Sequence, residues 1–249
     1  MRVISRLDIK GYDLIKGVKF EGLRVLGCPI KSANFYYREG IDEILCIDTV
    51  ASLYGRNNAV NLVKEISKNV FLPITVCGGI RTIEDASNII LSGADKIGIN
   101  TAAVANPQFL TILAKEFGSQ SIVLSVEAKK KTPSTWEVFV NSGRDPTGID
   151  VKFWIKKAID LGIASVFLTS IDNDGTKLGF DKELCKEVFD ICEVPLVISG
   201  GFGKITDLTI LTDNSGINGF AAASAFHNNL LTINEIKKFL IDYKINVKN

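Results

Sequence analysis

Residues 73–79 read PITVCGG, and residues 195–201 read PLVISGG. Each is a proline, a short mostly apolar run and a pair of glycines, the pattern of a buried strand that turns sharply into the next element. A helix-like stretch follows each copy, and then another apolar run ending in small residues, Asn100-Thr101 in one case and Ala223-Ser224 in the other. Two further runs match in the same way. Residues 3–10, VISRLDIK, carry Asp8 just past the buried part of a strand, and residues 121–129, SIVLSVEAK, carry Glu127. Four strand–helix units that occur twice predict two half-barrels, about 1–120 and 121–249, forming one (β/α)8 barrel with no separate domain.

The other apolar runs complete the count. Val3–Leu7, Glu43–Asp48, Pro73–Cys77, Lys96–Ile99, Ile122–Glu127, Ser165–Thr169, Pro195–Ser199 and Asn218–Ala222 read as eight strands. Between Asn58 and Val70 the apolar residues Val60, Leu62, Val63, Ile66 and Val70 recur at helical spacing. Thr82-Ile-Glu-Asp85 and Thr232-Ile-Asn-Glu235 read as capping boxes at helix starts. An open doubly wound sheet is the competing α/β arrangement, but no GxGxxG follows the first strand.

The chain has 249 residues, is 46% hydrophobic and carries a formal net charge of +1. That balance gives no electrostatic case for nucleic acid or an anionic membrane. No run approaches the roughly 18 apolar residues of a membrane span, and the N-terminus has no charged-then-apolar signal pattern. A cytoplasmic location is expected. The five cysteines (Cys28, Cys46, Cys77, Cys185, Cys192) are scattered without CxxC spacing, which predicts free thiols. With His227 as the single histidine, a zinc site or a Ser/His/Asp triad is not expected, and no metal or cofactor is implied.

In a (β/α)8 barrel the active site lies at the C-terminal ends of the strands, where both acids fall. Asp8 and Glu127 end strands one and five, on opposite sides of the mouth, as a pair of proton-transfer groups would. The alternative for each acid alone is a strand-end residue capping a loop. Gly78-Gly79 and Gly200-Gly201 follow strands three and seven, where glycine lets backbone N–H groups approach a phosphate. With Asn100-Thr101 and Ala223-Ser224 they predict two phosphate cups and a long substrate with a phosphate at each end. In the loop after strand six, Asp172 and Asp174 are candidates to orient substrate, and Gly175 to donate its N–H, or the stretch is an Asx-rich turn. Lys16-Gly-Val-Lys19 is expected in a loop that closes over a phosphate or stands as a solvated basic turn, and His227 as a helix-start or packing residue.

The stretches LDIK (7–10), KGVKFEGLR (16–24), TVCGGIRT (75–82), DKIGINTAAVANP (95–107), FGSQ (117–120), LTSIDNDGT (168–176), SGG (199–201) and AAASAFH (221–227) resemble the cyclase subunit of imidazole glycerol phosphate synthase. The resemblance runs over essentially the whole chain. It implies a (β/α)8 barrel in a heterodimer with a glutaminase subunit, whose ammonia passes through the barrel to a bisphosphorylated ribotide. It implies Asp8 and Glu127 as catalytic residues, Gly79, Asn100 and Thr101 at one phosphate site, and Gly175, Gly201, Ala223 and Ser224 at the other. Asp48, Thr169, Asp174 and Ser199 would line the cleft, with Lys16 beside it. Arg2, Glu43 and Lys96 would form an ammonia gate at the opposite, N-terminal mouth.

Four positions depart from the family pattern. Glu127 stands in place of an aspartate, Ser165 in place of a gate glutamate, Cys77 in place of a glycine and Cys28 in place of an aspartate. Two readings follow. One is an ammonia-dependent cyclase of histidine biosynthesis; the other is a paralogue that conducts ammonia for the amidation of a surface-polysaccharide or flagellar sugar.

Overall fold

A computed structural model describes residues 1–51, 59–213 and 216–247. Its strands are, in chain order, β1 (Arg2–Lys10), β2 (Asp13–Val18), β3 (Glu21–Gly27), β4 (Glu43–Asp48), β5 (Ile74–Cys77) and β6 (Lys96–Ile99) in the first half. The second half contributes β7 (Ile122–Thr132), β8 (Thr135–Val140), β9 (Asp145–Asp150), β10 (Ser165–Ser170), β11 (Leu196–Ser199) and β12 (Ile217–Ala222). Eight of these pair in parallel in the order β1-β4-β5-β6-β7-β10-β11-β12, and β12 returns to pair with β1. The molecule is therefore a closed (β/α)8 barrel. Pro73 and Pro195 fall just before β5 and β11, because proline has no N–H to give the ladder.

Side chains on each strand alternate between the barrel interior and the outer helical layer. Ile4, Leu45, Cys77, Val123, Phe167, Val197 and Ala221 meet inside the barrel as one buried layer. Their neighbours one residue away, among them Val3, Cys46, Val76, Leu124 and Leu168, point outward into a larger core shared with the helices. Leu62, Val63 and Ile66 of the helix Ala59–Ser67 belong to that outer core, as their spacing requires. Asn58, where the sequence begins this helix, lies outside the described residues. Each such side chain contributes about 1.5–3 kcal/mol on burial, so the two layers hold the strand ends firmly. Both capping boxes form: Thr82 with Asp85, and Thr232 with Glu235.

The structure adds two hairpins that the strand count missed. β1 runs on into the antiparallel pair β2–β3, and β7 into β8–β9, at matching places in the two halves. Lys16 is thus not in a loop that closes over a phosphate. It lies on β2, paired with Arg24 of β3, and is buried. The register of the barrel sets the heights of the candidate groups: Asp8 is level with Ile47, and Glu127 with Thr169.

Candidate active site

The chemistry gathers at the C-terminal mouth around a residue that sequence reasoning passed over, Arg6. It shares a strand face with Asp8 two positions on, so both point into the barrel. Arg6 Nε donates to Asp8 Oδ1 at 2.7 Å, and its Nη1 donates to Asp174 Oδ1 at 3.1 Å and to Ser199 Oγ at 3.4 Å. Lys16 Nζ closes the circuit, donating to Asp8 Oδ2 at 2.8 Å and to Asp174 Oδ2 at 2.6 Å. Two cations and two carboxylates thus form a neutral ring whose side chains are all nearly inaccessible, at 3% to 7% exposure. Burial alone would raise the pKa of Asp8, but Arg6 and Lys16 more than offset it and hold the carboxyl at about 2.

Glu127 faces the same recess, a space of about 30 Å³ that Arg6, Asp8, Lys16, Phe20 and Asp174 also line. Its environment acts the other way. Burial raises its carboxyl to about 7, resisted by the N–H of Gly143 and by Arg6. Gly143 donates to Glu127 Oε2 at 2.8 Å from the turn between β8 and β9, where Asn141, Ser142 and Gly143 all have positive φ. Ser142 Oγ donates to the carbonyl of Thr49 at 2.7 Å, and the Asn141 N–H to Thr101 Oγ1 at 3.1 Å. The second hairpin therefore pins Glu127 and roofs one side of the mouth. Phe20, in the turn of the first hairpin, lies with its ring 5.5 Å from the Arg6 guanidinium.

The two predicted cups are both assembled, but they are unequal. The first is a cavity of about 330 Å³ lined by Asp48, Cys77, Gly78, Gly79, Asn100, Thr101 and Glu127 among others. Gly78, at φ +97°, lies against the backbone of Asp48 where a Cβ would collide. Two polar atoms there lack partners among the described residues. Asp48 Oδ1 accepts from the N–H groups of Val50 and Ala51 at 3.1 and 3.0 Å, while its buried Oδ2 has none. Asn100 Nδ2 donates to the Phe139 carbonyl at 3.1 Å, and its Oδ1 is likewise buried and unpartnered. Burial raises the pKa of Asp48. The second cup, lined by Gly175, Ser199, Gly200, Gly201, Ala223 and Ser224, is a recess of about 10 Å³ bounded by Lys16 and Asp174. A Cβ on Gly200 would approach the Ser170 carbonyl to 2.6 Å, so only glycine makes this turn.

Of the remaining candidates, Thr169 is buried on β10 level with Glu127. Asp172 lies apart, accepting from the backbone N–H of Lys130 at 2.7 Å. His227 is a packing residue that ends the helix Ser224–His227. Its ring nitrogens meet Tyr36 Oη at 2.7 Å and the Arg6 carbonyl at 3.1 Å, and burial lowers its pKa to about 4. At the opposite end of the barrel Arg2, Glu43 and Lys96 do come together. Glu43 Oε2 accepts from Arg2 at 2.8 Å and lies 3.5 Å from Lys96, while Oε1 accepts from Thr75 at 2.7 Å. Ser165 lines the same recess of about 20 Å³, so two cations there share one carboxylate.

The five cysteines are free thiols, and no cluster of metal-binding side chains occurs among the described residues. No helix among them is long and apolar enough to cross a membrane.

A closed barrel with paired acids and a duplicated glycine turn at its C-terminal mouth defines a (β/α)8 protein of twofold design. The family model of histidine biosynthesis proteins matches residues 2–232. The chain belongs to that family. It is 51% identical over 207 residues to imidazole glycerol phosphate synthase subunit HisF of Legionella pneumophila, covering 83% of this chain and 98% of that one. The subunit of the same name from Streptococcus mutans is 38% identical over 99% of this chain and 98% of its own. That of Clostridium beijerinckii is 41% identical over the same shares of the two chains, 99% and 98%.

Proposed function

We propose that the chain is the cyclase subunit of imidazole glycerol phosphate synthase and acts in histidine biosynthesis, in the cytoplasm, together with a glutaminase subunit. The names of its full-length relatives support this role. The single observation that carries the chemistry is the contrast between the two acids that line one recess. Asp8 is held as a carboxylate by two cations, whereas Glu127 takes up and releases a proton near neutral pH. In this reading the substrate is the bisphosphorylated formimino-aminoimidazole carboxamide ribotide. Gly79, Asn100 and Thr101 hold one phosphate; Gly175, Gly201, Ala223 and Ser224 hold the other. Asp48, Thr169 and Ser199 line the cleft between them.

Ammonia enters past Arg2, Glu43 and Lys96 and travels up the barrel. Glu127, protonated, gives its proton to the leaving nitrogen as the substrate is split. As a carboxylate it then takes a proton from the added ammonia while the imidazole ring closes. Asp8, fixed by Arg6 and Lys16, stabilises the positive charge that develops on the attacked carbon–nitrogen unit. The products are imidazole glycerol phosphate, aminoimidazole carboxamide ribotide and one water, which carries away the carbonyl oxygen that the ammonia nitrogen replaces, a lyase reaction.

A second reading, an ammonia conduit for sugar amidation, is favoured by one observation: both oxygens of Asp8 are already bonded to Arg6 and Lys16. The deciding experiment supplies purified protein with ammonium salt and the ribotide at mildly alkaline pH and follows substrate loss. Turnover that vanishes in Glu127→Gln supports the cyclase. An inert wild type that gains turnover as Glu127→Asp would instead leave the conduit reading.

A further inference from the structure

The two cups differ about thirtyfold in free volume, roughly 330 against 10 Å³. A space near 10–15 Å³ by this measure holds about one water, so the second cup is far tighter than the first. What fills it is chemical as well as steric. The carboxylate of Asp174 lies at its wall between the guanidinium of Arg6 and the ammonium of Lys16, at 3.1 and 2.6 Å. A carboxylate bridging two buried cations beside a glycine turn occupies the place an incoming anion would take.

We propose that Arg6 is a specificity-determining residue: Asp174 serves as an internal anion that bolts the second cup through Arg6, and the ligand's second phosphate enters by displacing Asp174 and taking Arg6 as its partner. The inference rests on the bisphosphorylated substrate of the preceding section, and it adds a phosphate contact and a barrier. Three features of the ring fit this exchange. Arg6 presents Nε to Asp8 and a different nitrogen, Nη1, to Asp174, so it can change its second partner while remaining anchored to the first. Ser199, which lines the cup, already accepts from the same Nη1. Asp174 belongs to the loop after β10, held by its N–H to Ser170 at 3.0 Å and by its carbonyl to the Lys19 N–H at 2.8 Å, not by the barrel ladder. The first cup is untouched by the exchange, because neither Arg6 nor Asp174 lines it.

Two variants test the idea with effects of opposite sign. Calorimetric titration without ammonia compares the bisphosphorylated ribotide with aminoimidazole carboxamide ribotide, which has one phosphate. Asp174→Asn removes the competing anion and leaves both cations, so the bisphosphate should bind about tenfold more tightly or better. Arg6→Gln removes the cation and leaves two carboxylates, so the bisphosphate should weaken by about tenfold or more. In both variants the monophosphate should bind as it does to wild type. A structural disturbance would shift both ligands together, and that result overturns the proposal, as does a fall in bisphosphate affinity in Asp174→Asn. If one variant fails to fold, the sign of the other decides. Absent turnover with the expected pair of shifts removes the cyclase reading alone. Normal turnover with unchanged ratios removes the role of Arg6 alone, and failure of either ligand to bind any variant removes both.

Discussion

The protonation of Glu127 carries a cost that depends on pH, and the variant Glu127→Gln isolates it. Burial raises this carboxyl from an ordinary 4.5 to about 7. The folded chain therefore holds a proton that the unfolded chain has already released between those values. Stability falls as pH rises through that window and is level above it. The difference in proton affinity corresponds to about 3 kcal/mol. Glutamine has no proton to lose, and its carbonyl oxygen can still accept from Gly143, so the replacement should remove this penalty with little loss of contact. Urea unfolding of wild type and variant at about pH 5 and about pH 8.5 measures it. Glu127→Gln should gain stability relative to wild type between the two conditions, by about 3 kcal/mol. His227 titrates alike in both proteins and cancels. An equal difference at the two pH values, or a variant less favoured at the higher one, would refute the assignment of Glu127 as a neutral-range acid.

Other consequences follow from the same contacts. Asp8→Asn leaves Arg6 and Lys16 sharing one carboxylate in a buried site and should lower stability by about 3–5 kcal/mol, read from thermal or urea midpoints. Gly98 has no room for a Cβ because the Cys77 thiol lies against it. Gly98→Ala should therefore cost about 1–3 kcal/mol, and much less in a Cys77→Ala background, as a double-mutant cycle would show. Burial lowers the pKa of His227 from 6.5 to about 4. Its contribution is complete above the upper value and is lost as pH falls toward the lower one, so His227→Gln should lose less stability than wild type between pH 7 and pH 4, by up to about 3 kcal/mol. In the second cup, Gly201 at φ +99° packs on the Gly179 carbonyl. Gly201→Ala should cost more than about 1 kcal/mol and weaken phosphate binding.

The barrel was legible because its signals are local and repeated. Each strand is four to six apolar residues between turn residues, and the recurrence of Pro-x-x-x-x-Gly-Gly set the two halves in register. The hairpins were not, because Asp13–Val18 and Glu21–Gly27 contain three glycines between them, and glycine reads as loop until a partner strand supplies the ladder. Lys16 was misplaced for the same reason. Arg6 was hidden inside a run read as apolar. One signal was present: a cation two positions before Asp8 shares its face, and opposite charges at that spacing on a buried strand announce an ion pair. Which acid would have the raised pKa was beyond reach. Asp8 and Glu127 occupy equivalent places in the repeat, and only the folded surroundings give one of them two cations.

Closure of the barrel has a consequence for how its backbone amides meet water. Every barrel strand is paired on both sides, whereas β3 and β9, the outer strands of the two hairpins, are each paired on one side only. All of β3 is exposed. In hydrogen–deuterium exchange the amides of the inner ladder should open only with the whole molecule, while those on the free edges of β3 and β9 escape through local fraying. The expected pattern is a slow-exchanging ring that carries the acids, with two fast-exchanging outer edges, β3 and β9. Insertions or substitutions in the hairpins can reshape the roof of the mouth without loosening the scaffold beneath it.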